Sequence, residues 1–122
     1  MTHKIALADA FGRFTDHWNP RIIGEVSGHE IRIAKIRGAF DWHLHDDTDE
    51  CFLVHKGRFR MEFRDHVVDM EPGDVLVVPQ GVEHRPVADD ECEIVLFERV
   101  GTRNTGQVVT ERTRETLERL HA

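Results

Sequence analysis

A chain of 122 residues with 39% hydrophobic residues is sized for one core and reads as one domain. Its formal net charge of −7, with basic residues scattered rather than massed, argues against nucleic acid and anionic lipid as partners. No apolar run approaches the roughly 20 residues of a membrane span, and the first residues lack the apolar core of a secretory signal, so a cytoplasmic protein is expected.

In chain order, Ile5, Ala8, Phe11 and Phe14 recur at helical spacing, which predicts a short helix or turn over 5–14, broken by Trp18-Asn19-Pro20. β signals then take over. Strands are expected over 21–26 and 30–37, joined by a hairpin turn at Ser27-Gly28. Two more, over 41–45 and 50–56, flank the acidic turn Asp46-Asp47-Thr48-Asp49. From Arg58 to Arg64 the side chains alternate: Phe59, Met61 and Phe63 share one face, and Arg58, Arg60, Glu62 and Arg64 the other. Further strands are expected over 66–70, 74–78, 84–88 and 93–99, separated by turns at Glu71-Pro72-Gly73, Gln80-Gly81 and Ala88-Asp89-Asp90. The tail over 110–120 carries only Leu117 and Leu120 as an apolar stripe and reads as a terminal helix or an arm on a partner subunit. Many short strands with frequent turns mean an all-β sandwich or barrel.

The chemistry concentrates in histidines. His43 and His45 are two apart, so on a strand they face the same way and can share one ion. Glu50 follows after a short turn. His84 comes from a distant strand, and all four converge only if the sheet closes on itself. Imidazoles with one carboxylate suit a divalent transition ion: zinc, iron, nickel or manganese. Any one histidine on a strand is usually an ordinary polar residue; it is the joint spacing that selects these four. His3, His17, His29, His55, His66 and His121 lack that support and read as solvated or structural. Asp49 competes with Glu50 for the carboxylate role. Cys51 and Cys92 form no CxxC pair and read as free, small strand residues, with Cys51 facing away from the ion.

These stretches resemble the paired motifs of the cupins, G(X)5HXH(X)3,4E(X)6G and G(X)5PXG(X)2H(X)3N. The first runs from Gly38 through His43, His45 and Glu50 to Gly57, with one residue fewer between Gly38 and His43; the Glu50-to-Gly57 spacing favours Glu50 over Asp49. The second runs from Gly73 through Pro79, Gly81 and His84, with Ala88 where the motif has asparagine. The segment Arg58 to Pro72 between them has the short length of compact cupins. Thr102-Arg103-Asn104-Thr105-Gly106 is similar to a feature of small cupins labelled mannose-6-phosphate-isomerase-like.

The resemblance implies a jelly-roll β-barrel as one domain over 1–122, with its core over 21–100, a short N-terminal helix or turn and a charged C-terminal tail. It implies one divalent metal ion held by His43, His45, Glu50 and His84. The expected function is that of a metal-dependent enzyme on a small, polar, oxygen-rich substrate, in the manner of a sugar isomerase. An iron-dependent dioxygenase and a non-catalytic small-molecule binding or sensing protein are the alternatives. A homodimer is expected, formed near residues 21–37 with Trp42, Leu44 and Leu53 facing outward. Glu83 and Glu98 are acid/base candidates, although a lone glutamate at a strand end is usually solvated. Lys35, Arg58 and Arg60 could meet an anionic substrate, but strand parity sets Arg58 and Arg60 on the surface face.

Overall fold

The computed structural model describes residues 3–121. A short helix α1 (Leu7–Phe11) precedes β1 (Arg21–Val26), β2 (His29–Ala39), β3 (Glu50–Lys56), β4 (Phe59–Phe63), β5 (Val67–Met70), β6 (Val75–Val78), β7 (His84–Arg99) and β8 (Glu118–Arg119). The strands form a jelly-roll β-sandwich. The sheet order is β5-β4-β7-β2-β1-β8, with β3 paired to both β6 and β7.

The 16-residue β7 is the spine. Its first half pairs with β4, from Phe63↔His84 to Arg60↔Val87, and with the end of β2 at Gly38↔Ala88. Its second half runs between β2 and β3. The expected turn at Ala88-Asp89-Asp90 is therefore absent: the strand continues through it. Ala88 is buried and paired, and residues 89–91 of β7 bulge out of the register between the Ile36↔Cys92 and Gly38↔Ala88 pairs.

Alternation sets the inner core. Ala34, Ile36, Phe52, Val54, Phe59, Met61, Cys92 and Ile94 fill the space between the sheets. β2 and β7 are also covered on their other face. There α1 and the residues after it lay Ala10, Phe11 and Phe14 over Ile33 and Val95, with Leu53 at the margin. This is why residues 32–36 are buried without interruption. The helix is half the length its apolar spacing predicts. The chain after Phe11 turns at Gly12 and instead runs Phe14 onto the sheet.

Two other expectations change. Residues 41–45 form no strand; only His43 pairs, through reciprocal backbone bonds with His84 of 3.1 and 2.9 Å. The tail is extended rather than helical, and β8 adds in parallel to the edge strand β1. Leu120 docks against the N-terminal cluster, and its amide donates to the Ile22 carbonyl at 2.9 Å. Two leucines are too thin a stripe to hold a helix there. No helix among the described residues is long and apolar enough to cross a membrane.

Candidate metal centre

The bridge between His43 and His84 lies at one end of the sandwich, where β3 and β7 begin. Glu50 opens β3, His84 opens β7, and His43 and His45 stand on the loop between β2 and β3. One donor atom from each of these four residues lies within 4.8 Å of the others, and all four side chains are buried. Together they could hold a metal ion.

Hydrogen bonding aims the rings. His43 Nδ1 donates to the Asp41 carbonyl at 2.8 Å, and His84 Nδ1 donates to the Val82 carbonyl at 2.8 Å. Each ring then presents a bare Nε2 to the cluster, the usual way an outer partner orients a metal-binding imidazole. His84 Nε2 stands 3.1 Å from Glu50 Oε1. A lone pair facing a carboxylate at that distance needs a cation between them, either a proton or a metal ion. His45 Nε2 is buried without a hydrogen-bond partner, 3.4 Å from the same oxygen. An orphaned buried nitrogen is costly unless something coordinates it. Burial, reinforced by His84, holds His43 down at about 4, so this ring is neutral and its lone pair is free at neutral pH. The donor set fits a divalent transition ion.

Glu50 does not stand alone. Burial pushes its carboxyl up, but the Glu98 hydrogen bond and the adjacent His45 and His84 rings outweigh this and hold it well below the ordinary range. Glu98 goes the other way: burial and the neighbouring Glu50 charge push it well above that range. Arg32 Nη1 bonds Glu98 at 2.7 Å, while its Nη2 and Nε bond Glu30 at 2.7 and 3.1 Å. All three are buried. The expectation that Glu98 is solvated is thus overturned. Parity could not show it. In a sheet covered on both faces, the apolar Ile31 and Ile33 point to the N-terminal segment, and the alternating Glu30 and Arg32 point inward.

The other candidates fall outside the cluster. Lys35 is buried with its Nζ on the Phe14 carbonyl at 2.8 Å, so it anchors the N-terminal segment rather than meeting an anion. Arg58 pairs with Glu71 at the surface, Arg60 with Glu62 and Asp89, and Glu83 with Arg64. Asp49 is exposed and accepts the Gln80 amide at 2.9 Å, joining the two motif segments rather than the ion site. Cys51 sits on the outer face beside Val77 and Phe97, and both cysteines are free. Among the remaining histidines, His55 stacks on Phe11 and bonds Glu93, His17 bonds Glu91, and His66 bonds Asp65.

A narrow cavity of about 40 Å³ adjoins the cluster. Trp18, Ile36, Phe40, Phe52 and Leu96 are among the apolar residues of its wall, and His43, Glu50, Glu98 and Asn104 supply the polar groups. Trp18 stacks on Phe40 at 4.7 Å, and Phe40 meets His43 edge-on at 5.2 Å.

Comparison with known proteins agrees with this architecture. The Bacillus subtilis protein YdbB is 39% identical over 64 residues, which is 52% of this chain and 57% of that protein. A cupin-2 domain containing protein from Shewanella frigidimarina has a crystal structure that matches with a TM-score of 0.77 and 41% identity, covering 78% of this chain and 93% of the other. Protein NMB1881 from Neisseria meningitidis matches with a TM-score of 0.74 and 28% identity, covering 80% of this chain and 99% of that one. The sequence model of the Cupin domain matches residues 30–98, the span that contains all four clustered side chains and every strand from β3 to β6. That match covers more than half of the 122 residues, and the chain belongs to the cupin family.

Proposed function

We propose that this cupin is a mononuclear metal enzyme, with His43, His45, Glu50 and His84 as its ligands. The observation that carries the reading is the pair of bare acceptors, His84 Nε2 and Glu50 Oε1, held 3.1 Å apart beside the orphaned His45 nitrogen. A bound divalent ion would act as a Lewis acid toward a coordinated oxygen and, if iron, would support O₂ chemistry. Three neutral imidazoles and one carboxylate leave a divalent ion with net positive charge. Four protein donors leave room on a five- or six-coordinate ion for a chelating substrate. Two adjacent oxygens are the substrate feature this charge and vacancy favour.

The cavity beside the cluster, about 40 Å³, is far below the roughly 300–1,000 Å³ of a pocket that encloses a small ligand, so a substrate would coordinate without being enclosed by that lining. The four-donor site supports an enzyme on a small oxygen-rich molecule, in the manner of a sugar isomerase or, with iron, of a dioxygenase. Turnover rather than binding alone is what separates both from a sensing protein.

The test is elemental analysis of protein purified without a histidine tag, followed by a screen of enediol, hydroxy-keto and catechol-type compounds, with an oxygen electrode reading O₂ uptake. The expected result is one metal ion per chain and turnover that stops with chelator and returns with one metal. Turnover persisting after complete metal removal would defeat the proposal. Binding without turnover at full metal occupancy would favour the sensing reading.

We also propose a homodimer in the cytoplasm. Two unpaired thiols suit a reducing compartment. The face near 21–37 and the side chains expected to mediate pairing are partly taken by the chain itself: Leu53 lies at the N-terminal cluster, and Arg64 sits 3.9 Å over the Trp42 ring. The exposed apolar strip is instead Val75 and Val77 of β6 with Phe97 of β7, and this supports pairing through that face.

A further inference from the structure

The segment after β7 folds into a compact loop. Asn104 Nδ2 donates to the Arg112 carbonyl, and Asn104 Oδ1 accepts the Arg114 amide, both at 2.9 Å. Thr105 is fully buried, and its hydroxyl bonds the Val108 carbonyl at 2.6 Å and the Thr113 hydroxyl at 2.7 Å. The Thr102–Gly106 stretch that the ligand chemistry leaves unused is thus the closing knot of a strap over 104–114.

The strap lies along the loop that carries two of the four clustered side chains, and it touches that loop at three points. Thr110 Oγ1 donates to Asp41 at 2.8 Å, and Arg112 pairs with the same carboxylate at 3.4 Å. Asp41 is the residue whose carbonyl orients the His43 ring. Gln107 Nε2 donates to Asp46 at 2.6 Å, just past His45. Between these, Gly106 takes a positive φ of 63° and lies so close to the backbone of Leu44 that any Cβ there would run into the Leu44 carbonyl. Leu44 stands between His43 and His45. On its inner side the loop is held by the backbone bridge at His43 and by the Gly81 amide, which donates to the His45 carbonyl at 2.7 Å; on its outer side it is held by the strap.

We propose that this strap is a positioning element for the metal centre: it sets where His43 and His45 stand, and so sets metal affinity, without contributing a ligand. The inference rests on the reading of the four side chains as ligands. Outer partners of metal ligands commonly matter by about 10–100-fold in affinity, and here the effect comes from a glycine and a threonine far along the chain.

The test is Co²⁺ titration of metal-free protein, read by the ligand-field spectrum and by calorimetry. Gly106→Ala is expected to weaken Co²⁺ binding by about tenfold or more and to alter the visible bands. Thr110→Val is expected to weaken it by a few-fold, of order 3–10, while Thr110→Ser, which keeps the hydroxyl, restores it. The control is Gly57→Ala. Gly57 also has a positive φ, and a Cβ there would meet the Glu91 carbonyl at 2.7 Å, but at the far end of β3 from Glu50. It should lower the melting temperature without changing Co²⁺ affinity. Folded Gly106→Ala and Thr110→Val proteins with wild-type affinity and spectra would overturn the proposal, as would equal losses in Gly106→Ala and Gly57→Ala. If Gly106→Ala does not fold, the threonine pair decides. Wild-type protein that takes up no Co²⁺ would overturn the ligand reading itself and the role of the strap with it.

Discussion

Arg32 is a cation sealed between the buried side chains of Glu30 and Glu98, and its removal would leave both without that partner. Breaking such an array costs far more than the array is worth when intact. Arg32→Met is expected to destabilise the fold by about 3–5 kcal/mol, measured by urea denaturation. At His84 the prediction separates function from fold. His84→Ala keeps the backbone bridge to His43 but removes one donor, so metal affinity should fall by more than about 100-fold, while circular dichroism stays that of the wild type. Retained stoichiometric metal in that variant would remove His84 from the ligand set. Burial, then the Glu93 charge, pushes the Cys92 thiol up to about 12, and burial also raises Cys51. A raised thiol pKa withholds the reactive thiolate at and below ordinary pH. Disulfide-exchange reagent at pH 8 should therefore label at most Cys51 in the folded protein, and both cysteines only after unfolding; prompt labelling of both in the native state would contradict the burial of β7. The four clustered residues were legible in the sequence because their spacing against glycine and proline is specific. The Glu98–Arg32–Glu30 array was not. Parity assigns two faces to a strand but does not say which is inside when both are covered.

At the scale of elements, most strands could be read from alternation, apolar runs and turn residues: polar–apolar period two persists from Arg58 to Arg64, and β3 is a short apolar run bounded by polar residues. The loop over 41–45 misled because His-x-His suits a strand, yet it makes one isolated bridge at His43 and a single backbone bond from Gly81 to the His45 carbonyl. The Asp89-Asp90 pair misled because exposed acidic residues resemble a turn, although here they form a bulge within one continuous strand. The tail joins an edge strand in parallel, a long-range pairing with no local signal. The N-terminal segment has the clearest energetic consequence. Phe11 is 1% exposed in the outer cluster against Ile33 and Val95, and it stacks on His55 at 5.1 Å. Phe11→Ala should cost about 3–5 kcal/mol by chemical denaturation, the ordinary range for a buried aromatic. A loss below about 1 kcal/mol, the level of a surface change, would mean the helix is an ornament on the sheet rather than half of its covering.

At the scale of the whole molecule, the uncovered strip of Val75, Val77 and Phe97 predicts pairing of two copies. Light scattering at micromolar concentration should give twice the chain mass of 14.1 kDa, and Val77→Glu should return the monomer. A monomeric wild type would refute the pairing and leave the metal chemistry untouched. The placement of the clustered side chains has a further result. His43 and His84 sit 41 positions apart (84 − 43), and an ion held between them would staple shut the intervening chain, including all of β3 to β6. Closing a segment of that length removes freedom that grows only slowly with its size, so the staple acts chiefly on its own neighbourhood. Amide hydrogen exchange should therefore record the metal as a local brake. On chelation, residues 40–46 and 80–84 should exchange faster, while the long β2–β7 ladder keeps its protection, because opening there requires the barrel itself to come apart.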